Sequence, residues 1–273
     1  MFGGFFNRMY YGDPRRPDLK KEDVKGSRIK IFFTVLSIRF WQLIQLNLLY
    51  SIFWIPTYFL LQAHAIMFVE TKDFNSAAFF LMLIPCLVIT GPATAGVTYV
   101  IRNWARDEHA WVWSDFKDAW KANWKQSLLM MLINGVVIYL FSINLRFYYI
   151  NSANNGLFFY LFCFMIMLSI MYAMMNMFIF PMMVTYKLNL RQIIRNAFIL
   201  TMVKLPFTFL ILVLAVALVY ITFIYLFSLP FFVVGLTFPA FIVISYVNWI
   251  FDKYINNRIM DEDKTASDEE LES

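Results

Sequence analysis

Charged residues leave long gaps in this chain. No Asp, Glu, Lys or Arg occurs in residues 43–62, 77–101, 128–145, 157–186 or 205–251. About 20 apolar residues cross a bilayer core, so each of the first four gaps provides one span. The fifth is too long for one crossing. Ser228-Leu229-Pro230 divides it, because proline removes a helix donor and favours a turn. The pattern predicts six spans, at about residues 41–61, 77–101, 128–144, 157–184, 206–227 and 231–251.

Between spans the periodicity becomes amphipathic. On a helix from Asp115, Phe116, Trp120 and Trp124 recur every fourth residue as an aromatic stripe, with Lys117, Lys121 and Lys125 as a basic stripe beside it. Ser114 or Asp115 supplies the N-cap oxygen, and Asp115 and Asp118 suit the positive end of the helix dipole. Residues 185–204 repeat the arrangement, with Leu190, Ile194 and Phe198 apolar and Arg191 and Arg195 basic. Val-Thr-Tyr precedes both segments, at 97–99 and 184–186, which points to a duplicated hairpin of span, amphipathic helix and span. The expected fold is an all-α membrane protein of six transmembrane helices with two cytoplasmic interfacial amphipathic helices. Residues 1–30 form an N-terminal arm, 31–251 the transmembrane domain and 252–273 an acidic tail, whose acid-rich block after Asp261 is expected to be disordered and solvated.

Composition agrees with this class. The chain is 61% hydrophobic and 15% charged, against about a quarter charged in soluble domains. The formal charge of +5 is not a nucleic-acid signature, because its placement follows the spans. Of 23 Lys and Arg, 21 fall in alternate inter-span segments, so the positive-inside rule places both termini in the cytoplasm of a multi-pass protein. The glycine-aromatic and basic arm has two readings, a solvated extension or a headgroup-binding arm, at about 1 kcal/mol per juxtamembrane cation. No cleaved signal is expected. Cys86 and Cys163 both lie in predicted spans and imply no disulfide framework.

Candidate chemistry is sparse. Gln42, Gln45 and Asn47 in the first span read as interhelical hydrogen-bonding residues or as a substrate site. Gly91, Pro92 and Gly96 are the candidate hinge: a kinked packing seam of small residues, or a broken helix whose freed backbone groups bind substrate. Phe116, Lys117, Trp120, Lys121, Trp124, Lys125, Arg191 and Arg195 are the candidate interface. They read as an anchor in anionic headgroups of the lipid bilayer or as a docking surface for a cytoplasmic partner. Gly235 and Pro239 predict a kink in the last span. The methionine-rich fourth span reads as adaptable packing rather than a soft-metal path, and His64 has no second ligand at metal spacing. Asp107-Glu108-His109 reads as a solvated loop. No predicted span holds an ionisable Asp, Glu, Lys, Arg or His, which counts against an ion-coupled carrier and against acid–base catalysis. No enzyme activity, cofactor or metal is expected.

The run GPATAGVTYVIRN at 91–103, an acidic-His-aromatic stretch, and SDFKDAWKANWKQS at 114–127 together resemble the YesL-like family of uncharacterised bacterial integral membrane proteins. The resemblance is close over this motif and looser over the six-span layout, and the N-terminal arm is longer here. Members are encoded in Gram-positive bacteria beside sugar-uptake transporters and polysaccharide-degrading enzymes. The resemblance therefore implies a bacterial cell-membrane protein with a role in carbohydrate uptake and sugar transporter subunits as partners. It brings no catalytic residues. The expectation is a non-enzymatic accessory or regulatory component. The alternative is a small-solute (sugar) permease with a path near Gly91–Gly96. The oligomeric state is left open.

Overall fold

The computed structural model describes residues 28–71, 76–106, 108–153, 155–224 and 230–256. Nearly all of the arm, the Ser228-Leu229 divide, Asp107 and the tail beyond residue 256 lie outside these. The chain folds as α1 (Arg28–Thr71), α2 (Ser76–Ala105), α3 (Ser114–Asn151), α4 (Gly156–Thr185), α5 (Leu190–Val203), α6 (Leu205–Ile224) and α7 (Thr237–Phe251). A π-helical turn, Phe231–Gly235, leads into α7, and a second, Asp252–Asn256, follows it. No strand occurs among the described residues. Among the described residues six helices are long and apolar enough to cross a membrane, as the charge gaps predict.

The spans are pieces of longer helices. α1 has 44 residues, about 66 Å of axis against a hydrocarbon core of about 30 Å. α3 has 38 residues and joins the expected interfacial helix to the third span without interruption. The first amphipathic segment is therefore not a separate helix, which corrects the expectation above. Nothing between Ser114 and Asn134 breaks helix geometry, since neither glycine nor proline occurs there. In the second copy α5 and α6 are split at Lys204, whose backbone leaves the helical region (φ −133°, ψ 41°). Pro206 accounts for the split: it has no N–H to give the Met202 carbonyl, and its ring crowds that turn. Proline is thus what separates α5 from α6, where the corresponding helix of the first hairpin is continuous.

α2 and α3 pack along a seam of small residues. A Cβ on Gly96 would lie 2.8 Å from the Phe116 carbonyl oxygen, and one on Gly91 would lie 2.6 Å from that of Ser127. Further along, a Cβ on Gly135 would lie 3.0 Å from Ile84. Between the first two contacts α2 advances five residues and α3 eleven, about 7.5 Å against about 16 Å of axis. Two straight helices cannot meet both contacts, so the pair curves and the start of α3 leans over α2. The α2 helix itself continues through Pro92. Gly91 and Gly96 thus lie at close contacts with α3, in a helix that is continuous through Pro92.

Two apolar clusters hold the bundle. Leu46, Val100, Trp104, Phe116 and Phe241 centre one, joining α1, α2, the start of α3 and α7. Phe178, Ile193, Ala197, Val247 and Phe251 belong to the other, which joins α4, α5 and α7 and takes in Ala95 of α2 and Met130 of α3. α7 lies in both, so the two hairpins share it.

The interruption in the bundle lies instead before α7, where Gly235 predicts a kink. Asn47 of α1 spans it: its Nδ2 donates to the carbonyls of Phe231 (3.1 Å) and Phe232 (2.7 Å) and to Ser51 Oγ (3.2 Å). Its Oδ1 accepts from the backbone N–H of Leu236 (3.0 Å) and Thr237 (2.8 Å). One buried amide therefore satisfies backbone groups on both sides of the break, where no water is at hand. Pro239 is not the kink; it sits in the first turn of α7, where a missing N–H costs nothing.

Candidate functional site

Helices α2, α4 and α7 finish at the same end of the bundle, and the two Val-Thr-Tyr copies meet there. In the first copy the helix runs on past Tyr99, which brings Arg102 to the end of α4. Arg102 Nη1 donates to the Val184 carbonyl (3.1 Å), inside the second copy, and Nε donates to Asn103 Oδ1 (3.0 Å). Its guanidinium carbon lies 4.8 Å from the centre of the Tyr99 ring, within cation–π range. The side chain is only 11% exposed, and Glu108 approaches it at 3.7 Å. The backbone carbonyl of Arg102 accepts from Asn248 Nδ2 of α7 (3.2 Å).

A second layer extends this cluster outward. Arg106 pairs with Asp252 at 3.4 Å, and Asp252 accepts from Asn256 Nδ2 at 2.9 Å. Tyr186, in the second copy, donates its phenol to Asn256 Oδ1 at 3.0 Å. Burial raises the Tyr186 phenol above its ordinary range, against the pull of the nearby Arg106 and Arg102, so it stays protonated and remains a donor. Asp252 and Asn256 belong to the π-helical turn after α7, which this cluster ties to α2 and α4.

The loop between α2 and α3 is fixed from below. The Trp104 indole N–H donates to the Ala110 carbonyl (3.1 Å), the Glu108 N–H donates to the Asn103 carbonyl (2.8 Å), and Ala110 and Val112 are buried. Only part of the Asp107-Glu108-His109 stretch fits the expected solvated loop: Glu108 and His109 are exposed, but the residues that follow are anchored. Asp115 does not cap its own helix. Its carboxylate accepts from the Trp111 N–H (2.6 Å), closing the turn ahead of α3.

The candidate interface residues separate. Phe116 is 4% exposed and fills the space that Gly96 leaves, so it is a core residue and not part of an outward stripe. Periodicity gave it the same face as Trp120 and Trp124, but the lean of α3 over α2 turns the first part of that face inward. Trp120 is half-buried against the same cluster, whereas Trp124 is 46% exposed. Lys117, Lys121 and Lys125 are exposed, with Lys125 Nζ 5.5 Å from the Trp124 ring centre. Arg191 and Arg195 are exposed on α5, which packs its Ile193 and Ala197 face into the core. The two basic surfaces lie on different helices, linked near their bases by Gln126 Nε2 donating to the Leu188 carbonyl (3.1 Å). The Arg102 cluster, by contrast, is absent from the sequence reading, where Arg102 counts only as one of the inward charges. Among the described residues no group of three or more His, Cys, Asp or Glu side chains gathers.

Arg102 and Arg106 carry unequal weight. Arg102→Gln is expected to lower stability by about 1.5–3 kcal/mol, the range for hydrogen bonds to a charged group. Arg106→Gln, whose partner Asp252 is 41% exposed, is expected to cost under about 1 kcal/mol. Thermal unfolding of the detergent-purified pair of variants checks the ranking, and equal losses would remove Arg102 from its central place.

A family model described as "Protein of unknown function, DUF624" matches residues 43–145. The match takes in most of α1, all of α2 and most of α3, and so the glycine seam, Arg102 and the Trp124 surface; it leaves α4 to α7 outside. The chain is similar over that stretch to an uncharacterised family. No curated protein and no solved structure matches the chain.

Proposed function

We propose that the protein is a non-catalytic membrane subunit, an accessory or regulatory component of carbohydrate uptake that docks to a transporter through the outward edge of α3. The observation that carries this reading is the exposure of Trp124 beside Lys117, Lys121 and Lys125, while Phe116 of the same stripe is taken up by the fold. An exposed tryptophan is a typical hot-spot anchor of protein interfaces, and the lysines beside it suit the polar rim around such an anchor. The carbohydrate link comes from the YesL-like resemblance, and YesL-like proteins carry the family that matches residues 43–145. The positive-inside count supports a cytoplasmic position for this edge, and the bacterial cell membrane is what the YesL-like resemblance implies.

The test is co-purification from native membranes. Trp124→Ala combined with Lys121→Glu is expected to lose bound sugar-transporter subunits without altering thermal stability. Retention of those subunits by the double variant would reject the α3 edge as the docking surface. Trp120→Ala serves as the contrast, because its half-buried ring is expected to affect stability more than binding.

A further inference from the structure

The outward face of α5 changes character along its length. Its inward face is uniform: Ile193, Ala197, Leu200 and Thr201 are buried. Its outward face begins with Arg191, Gln192 and Arg195, all exposed, and ends with Phe198, Ile199, Met202 and Val203, also exposed, at 43%, 48%, 37% and 43%. Arg191, Arg195, Phe198 or Ile199, and Met202 share one face at helical spacing, so polarity reverses between Arg195 and Phe198, within about one turn. A helix lying flat in the headgroup layer divides its polarity across the girth instead, with one face wet and the opposite face in lipid.

The apolar end does not stand alone. Beyond Lys204 the exposed surface continues through Leu205, Phe207 and Leu210 of α6, one of the six helices long and apolar enough to span. Lys204 lies with its Nζ 5.9 Å from the Phe207 ring centre. The basic end is uncompensated within its own helix, since α5 contains neither Asp nor Glu, and Lys187 adds a further exposed cation just before it.

From this axial gradient we infer that α5 enters the membrane obliquely, crossing the headgroup boundary between Arg195 and Phe198, and that Arg191 and Arg195 bind the phosphodiesters of anionic lipids. Guanidinium groups suit this ligand because their planar donors meet phosphate oxygens in pairs. The occupant follows from charge complementarity and from continuity with the lipid-facing surface of α6. The inference does not depend on the docking role of α3, and its test leaves α3 unaltered.

The experiment uses the full chain in nanodiscs, in a Cys86→Ser, Cys163→Ser background. An environment-sensitive fluorophore is placed singly at Gln192→Cys, Ile199→Cys and Val203→Cys, and nitroxide lipids quench it from the headgroup or from mid-chain. Headgroup quenching is expected to dominate at 192 and mid-chain quenching at 203, with 199 between. Headgroup quenching at all three positions, or no lipid quenching at 199 and 203, overturns the oblique entry; the second result would mean that protein covers this face. For the ligand, spin-labelled phosphatidylglycerol is expected to associate at least twofold more than spin-labelled phosphatidylcholine. Arg191→Gln with Arg195→Gln is expected to lower that preference by at least half, and the Lys pair to restore only part of it. An undiminished preference in the Gln pair overturns the headgroup assignment.

Discussion

Gly96→Ala and Gly91→Ala are each expected to destabilise the α2–α3 hairpin by about 1–3 kcal/mol, the cost of overpacking a closely fitted interior. The size follows from what the added methyl meets. At Gly91 the obstacles are the Ser127 carbonyl oxygen and carbon, at 2.6 and 2.9 Å, and both are backbone. At Gly96 they are the Phe116 carbonyl oxygen at 2.8 Å and the edge of the Phe116 ring at 2.7 Å. A flexible side chain can swing away from such contacts, but the backbone of a long helix moves only by separating the pair. Displacing α3 also lifts Phe116 from the cluster it shares with Leu46, Val100 and Trp104. Ala at Gly156, where an added Cβ meets nothing within 4 Å, is the neutral contrast. Thermal unfolding of the three purified variants checks the order. A stable Gly91→Ala protein would mean that the seam is not closely packed.

The seam also shows what the sequence reveals and where it stops. Small residues at 91, 95 and 96 announce close helix approach, but not which helix approaches or whether the chain breaks there. The charge gaps locate six spans because residence in hydrocarbon is a property of composition, readable one residue at a time. They misplace the helix ends because a charged residue marks the limit of the membrane without stopping a helix. α1 and α3 accordingly run far past their spans. The periodic stripe of Phe116, Trp120 and Trp124 defines a face but not its neighbour, and curvature of the α2–α3 pair turned half of that face inward. The Val-Thr-Tyr duplication is legible as a pattern. Its consequence is not: Arg102 belongs to one copy and reaches the Val184 carbonyl of the other, 82 positions away. Contacts of that range depend on how the hairpins dock, which no local pattern records.

Asn47→Leu is expected to have the largest effect of any single substitution in the spans, a loss of roughly 3–5 kcal/mol. Its volume change is small, so the cost is electrostatic. Four backbone groups lose their partner together: the carbonyls of Phe231 and Phe232 and the N–H groups of Leu236 and Thr237. The Thr237 hydroxyl retains the Leu43 carbonyl at 3.1 Å as an alternative acceptor. Within the membrane a single interhelical hydrogen bond averages about 0.6 kcal/mol and reaches about 1.7. Ser51→Ala removes one bond of 3.2 Å to the same amide and is expected to cost under about 1 kcal/mol. Hydrogen exchange separates the two accounts of a destabilised Asn47→Leu protein. Local pinning predicts that the amides of Leu236 and Thr237 lose protection by at least tenfold more than those of α4. A uniform loss across all helices would show that Asn47 packs the bundle without holding the break.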